Sequence, residues 1–117
     1  MGLYLITHKK EREIPYFKIG DLEGVIELSL TLEVGTWIYI HASIVAKMKQ
    51  QYEGEEHSVE VSRQDLSIEI KDDQDLTKFK QELDENVKAI KSVLYDYEKK
   101  VLKAREFIDS YILRQDI

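Results

Sequence analysis

Residues 75–114 read DLTKFKQELD ENVKAIKSVL YDYEKKVLKA REFIDSYILR, 40 positions without a glycine or a proline. Nothing here interrupts a helix, so the stretch predicts one long α-helix. Taking Leu76 and Leu83 as d positions, the a/d seam runs Leu76, Lys80, Leu83, Val87, Ile90, Leu94, Tyr97, Val101, Ala104, Ile108, Tyr111. Only Lys80 among these is charged. A 3-4 repeat held over about five heptads favours a supercoiled contact with another helix. Val93, Phe107 and Ile112 widen the stripe at g and e positions, and Leu102 and Leu113 fall outside it. So wide a face also fits packing on the chain's own sheet. At its start, Asp72, Asp73 and Asp75 can cap free N–H groups and meet the positive end of the helix dipole. Lys103, Arg105 and Arg114 lie towards the other end.

Length turns this pattern into a functional expectation. Forty helical residues extend about 60 Å, whereas a compact chain of this size has a radius of gyration near 13 Å. The helix must therefore overhang its body, and a second copy or a partner is expected to cover the overhang. The expected oligomer interface is Val87, Ile90, Leu94, Tyr97, Val101, Ile108 and Tyr111.

Upstream of the helix the pattern changes to period two. Ile26, Leu28, Leu30, Leu32 and Val34 alternate with polar residues, and after Gly35 the even positions Ile38 to Met48 keep the same parity. That is a hairpin with an apolar even face. An odd-length loop keeps these residues on one face; three residues with Gly35 in the left-handed region would do so. A helix over Ala42–Glu53 ended by Gly54 competes with the second strand. Leu3–Thr7 reads as a short strand, His8–Glu13 as a charged turn, and Pro15–Ile19 as a second strand or edge segment. Residues 20–24 read as a turn. Val59–Ile70 reads as one bent strand or two short ones, with Arg63-Gln64-Asp65 as bulge or turn. The expected fold is α+β: four to five antiparallel strands over 1–71, then the helix over 72–117, in a single domain.

Composition narrows the function. The chain has 117 residues, a net charge of −6 and no cysteine, which removes disulfides, thiolate ligands and cysteine catalysis. An acidic chain is a poor general ligand for nucleic acid. No apolar run is long enough to span a membrane, and the amino terminus lacks a signal-peptide pattern. A cytoplasmic location is expected. His8, His41 and His57 show no metal-ligand spacing, and no phosphate-binding glycine loop is present. Neither metal nor cofactor is expected.

Two surfaces stand out. The odd face of the hairpin carries Trp37, Tyr39, His41 and Ser43 beside Thr31 and Glu33, rings and hydrogen-bonding groups suited to recognition. Ordinary cross-strand pairing explains the same residues. His41 and Ser43, with Glu33 or Glu27, invite a Ser-His-acid reading, but neighbours on one strand rarely reach that geometry. The second surface, Lys9, Lys10, Arg12 and Lys18 with Tyr16 and Phe17, has the ingredients of an anion contact, although Glu11 and Glu13 interrupt it.

The expectation is a non-enzymatic, homo-oligomeric binding protein. It would engage a partner protein or a small anionic ligand, as inhibitors or sequestering factors carried by mobile elements do. The alternative is an RNA or single-stranded DNA binding regulator using the sheet aromatics and segment 8–18. A DNA mimic needs carboxylates gathered on one face, and the lysines among them on the helix argue against it.

Overall fold

β1 (Leu5–Ile19), β2 (Leu22–Val34), β3 (Ile38–Tyr52) and β4 (Glu55–Glu69) form an antiparallel meander in the order β1-β2-β3-β4, followed by α1 (Asp73–Leu113). The computed structural model describes residues 4–116, so Leu3 of the expected first strand and Ile117 of the expected helix lie outside the described residues. The architecture is α+β, with one layer of sheet and one of helix.

Three tight connections set the sheet. Gly20-Asp21 joins β1 to β2, with Gly20 at φ +58°, and Glu53-Gly54 joins β3 to β4 with both residues at positive φ. Successive positive φ values suit the twist of a two-residue hairpin. The β2–β3 loop is the three-residue Gly35-Thr36-Trp37, closing on the pair Val34 and Ile38. Its odd length keeps Ile26 beside Ala46 and Leu28 beside Ile44 on one face, without a bulge. Gly35 is not in the left-handed region; instead its N–H donates to the carbonyl of Trp37 at 3.0 Å.

Several local expectations change. His8–Glu13 is not a turn but the middle of β1, paired with β2 from Leu32 to Glu27. Its charges are tolerated because β1 is an edge strand, exposed from Tyr4 to Glu13. Leu22–Gly24 belongs to β2, and residues 42–52 are strand rather than helix. β4 is one continuous strand, and its irregularity falls at Val61, the residue left over between the pairs Ala46–Ser62 and Lys47–Glu60, not at Arg63–Asp65.

The even face is the core face. Phe17, Ile19, Ile26, Ile44 and Ala46 pack with Ile90 and Leu94 of α1, and Leu83, Val87 and Val101 border the cluster. Ile26, Ile44, Ile90 and Leu94 are at most 1% exposed, and burying such side chains stabilises by roughly 1.5–3 kcal/mol each. Gly24 is required by Phe17: a Cβ there would lie within 3 Å of three ring carbons. The helix starts as expected, with Asp72 as N-cap and a capping box completed by Asp75. No basic residue occupies its last turn.

The helix does outrun the sheet. The molecule measures 72 × 31 × 21 Å with a radius of gyration of 19.6 Å. Val101 is the last helical residue packed against the core. From Leu102 to Asp116 every residue but Ser110 is exposed.

Candidate functional site

The two surfaces of interest are the outer face of the sheet and the end of α1. Register fixes the outer face row by row. Lys9, Thr31, His41 and Ser67 lie side by side across the four strands, then Glu11, Ser29, Ser43 and Asp65, then Glu13, Glu27, Val45 and Arg63. A shallow trough of about 440 Å³ crosses these rows, lined by Glu11, Glu13, Glu27, Ser29, Ser43 and Arg63. A second hollow of about 230 Å³ adjoins it at His41, Asp65 and Ser67.

His41 is the centre of the upper row. Its Nδ1 is 2.6 Å from Ser67 Oγ, its ring stacks on Tyr39 at 5.9 Å and 16°, and its Nε2 is 3.0 Å from Glu33 Oε2. That last nitrogen has no aligned hydrogen bond, so the Glu33 contact is close but off-axis rather than a directed bond. The serine is Ser67 of β4, not Ser43. Ser43 Oγ instead accepts from Arg63 Nη1 at 3.0 Å. Ser67, His41 and Glu33 adjoin one another, but acyl transfer also needs a base oriented by a directed hydrogen bond and donors aimed at an oxyanion. Here β3 lies in the ladder between β2 and β4, and its backbone groups are committed to pairing.

Below that row the face is closed by ion pairs. Arg63 binds Glu60 at 2.7 Å and reaches Asp65 at 3.4 Å. The Glu60 hydrogen bond chiefly holds the guanidinium pKa above its ordinary value, against a small desolvation cost. Lys47 pairs with Glu27 at 2.9 Å. Lys49 pairs with Glu13 at 2.9 Å and with Glu56 at 3.0 Å. The hydrogen bonds that Lys49 donates to Glu13 and then to Glu56 push its ammonium well above the usual lysine range, more than desolvation lowers it. Val25 and Val45, on the same outer face by register, are 0% and 3% exposed beneath this layer.

The remaining expected site residues divide. Thr31 and Glu33 lie on the outer face as read, and Tyr39 joins them. Trp37 belongs to the β2–β3 loop rather than the row, and is 53% exposed. The basic segment is not one patch. Lys9 and Lys18 fall on the outer face, where they lie 3.0 Å from Glu11 and 3.9 Å from Glu23. Lys10 and Arg12 pair with Leu30 and Leu28 and so belong to the opposite face. Sequence reading missed Ser67 and Arg63 because the extra residue at Val61 reverses the parity of β4 against β3, and Lys49 because its partners Glu13 and Glu56 come from other strands.

The end of α1 is the second surface. Of the expected oligomer interface, Ile90 and Leu94 are covered by the chain's own sheet, with Val87 and Val101 at the border of that core. This corrects the assignment of Ile90 and Leu94 to a second helix: the sheet fills that part of the stripe because it is tethered to it, while Val87 and Val101 stay partly exposed at its border. Tyr97, Ile108 and Tyr111 are 39%, 58% and 55% exposed, and Leu102, Phe107, Ile112 and Leu113 range from 48% to 85%. Phe107 stacks on Tyr111 at 5.9 Å. Compared with family models, curated proteins and solved structures, the chain matches none. Among the described residues no cluster of metal-ligating side chains occurs, and no helix is long and apolar enough to cross a membrane.

Proposed function

We propose that the chain is a non-enzymatic binding protein that works as a homo-oligomer, assembled through the part of α1 beyond Val101. The observation that carries this reading is the run Leu102, Phe107, Ile108, Tyr111, Ile112, Leu113, all 48–85% exposed on one helix end. Large side chains offer on the order of 150–250 Å² each when fully exposed, so at these exposures the four on the seam and its flanks, Phe107, Ile108, Tyr111 and Ile112, present roughly 500 Å². That lies towards the upper end of the largest apolar patch usual on a monomer, a size that is often functional, and is more than half of the roughly 800 Å² per partner of a standard interface.

A partner protein suits the outer face better than a small anion does. Each of Lys9, Lys18, Lys47, Lys49 and Arg63 has a carboxylate within 4.0 Å. Carboxylates also outnumber cations there, so an anion or a nucleic-acid backbone would meet neutralised charges and net repulsion. The half-exposed Tyr39 and His41, with Trp37 at the loop, supply rings and hydrogen-bonding groups for a protein surface instead.

Light scattering at tens of micromolar tests the assembly. The wild type is expected at the mass of a dimer or higher, and Ile108→Lys at 13.8 kDa with unchanged circular dichroism. A monomeric wild type would remove the reading. So would an Ile108→Lys variant that stays fully associated.

A further inference from the structure

We propose that the assembly is a two-fold dimer in which the ends of two α1 helices overlap antiparallel, each filling the layer that the other copy's sheet leaves empty. This rests on the reading of the helix end as an assembly surface and adds its geometry and register.

The seam that packs on the sheet through Leu83, Val87, Ile90 and Leu94 continues at heptad spacing through Val101, Ala104, Ile108 and Tyr111. The exposed seam therefore faces the same side as the sheet. Residues 102–113 extend about 18 Å past the end of the core. In that stretch the sheet layer is vacant, bounded by the turns at Gly20-Asp21 and Glu53-Gly54. A helix is about 10–12 Å across, and packed helices sit 8–10 Å apart. A second helix end thus fits at the level of the sheet.

Direction follows from sterics. A parallel partner would run its whole helix along the seam and collide with the sheet that already covers Phe79, Ile90 and Leu94. An antiparallel partner brings only its own overhang, and its sheet begins where the first helix stops. The overlap can be no longer than the overhang, because each helix tip meets the turns of the other copy.

Register follows from the seam. Antiparallel helices pair a positions with d positions. Centring the two-fold axis at Glu106 sets Val101 against Tyr111 of the second copy and Ala104 against Ile108 of the second copy, each contact made twice. On one flank the two Arg105 side chains face each other, as e positions do in an antiparallel pair, with Asp109 of the second copy two residues further along the axis. On the other flank the two Phe107 rings, already stacked on Tyr111 within each copy, face each other. The stretch 102–113 carries Lys103, Arg105, Glu106 and Asp109 and is neutral, so self-association meets no net repulsion.

The chain has no cysteine, so introduced thiols report cleanly. Val101→Cys and Tyr111→Cys are made separately, checked by circular dichroism, and oxidised alone and as an equimolar mixture. A disulfide needs Cα atoms within about 7 Å, whereas like residues at these positions lie about 15 Å apart along the antiparallel axis. The expected result is a covalent dimer in the mixture and none with either variant alone. If Val101→Cys fails to fold, Ala104→Cys mixed with Ile108→Cys tests the same register. A dimeric mass with linkage of Val101→Cys to itself, or with none in any mixture, overturns this geometry and leaves oligomer assembly standing. A monomeric mass overturns both.

Discussion

From Phe79 to Val101 and from Leu102 to Leu113, α1 has one kind of sequence and two kinds of surroundings. In the first part Phe79, Ile90 and Leu94 are 3%, 1% and 0% exposed; in the second Phe107, Ile108 and Ile112 are 68%, 58% and 62% exposed. The apolar spacing says which side of a helix must be covered, and is silent about what covers it. A tethered sheet reaches the first part at high effective concentration, and stops about 18 Å short of the end.

Replacing the same residue type on either side of that divide is the strongest way to break the contrast. Leu94→Ala, at 0% exposure, is expected to cost about 2–5 kcal/mol in denaturant unfolding. Leu102→Ala, at 48% exposure and off the seam, is expected within about 0.5 kcal/mol. Equal losses would mean that the two parts are not differently covered. On the sheet side of the packed part, Gly24→Ala must displace the Phe17 ring. We expect a loss of about 1–3 kcal/mol, measured by the denaturation midpoint, and a neutral result would show that Phe17 is free to move. Asp72→Ala removes the side chain that accepts from Gln74 and Asp75 N–H and is expected to cost about 1 kcal/mol. The loss should be seen as faster amide exchange in the first turn, with the overhang unaffected.

The smallest effect is a pH dependence confined to the start of α1. The backbone N–H groups of Lys71 and then Asp72 hold the Asp75 carboxyl below its ordinary pKa of 3.8. A depressed folded-state pKa means the stabilisation is complete above the ordinary value and is lost as pH falls through the lowered one. Wild-type stability should thus fall more steeply on acidification than that of Asp75→Asn. Parallel curves would remove the capping account.

What was legible in the residues, and what was not, divides by cause. The hairpin Ile26–Met48 and the even core face were readable because alternation and loop parity act together, and β2–β3 pairs without a bulge. The length of α1 was readable from its lack of breakers. Whether a sheet or a second helix covers Ile90 and Leu94 was not readable, because a 3-4 stripe fits both equally well. β1 was misread at His8–Glu13 because an edge strand exposed on both faces needs no alternation. The residue opposite His41 was not readable, because Val61 takes an extra place in β4, which moves Ser67 into the His41 row and leaves Ser43 to Arg63. No local signal marks that insertion.

The same irregularities have one more consequence. All three unpaired residues, Thr7 and Tyr16 of β1 and Val61 of β4, sit on the outermost strands, while the central pair is regular. Open borders of 15 residues each would otherwise template the addition of further chains, strand upon strand, without limit. Kinked borders spoil that template, so growth of the sheet into a filament is discouraged at both margins.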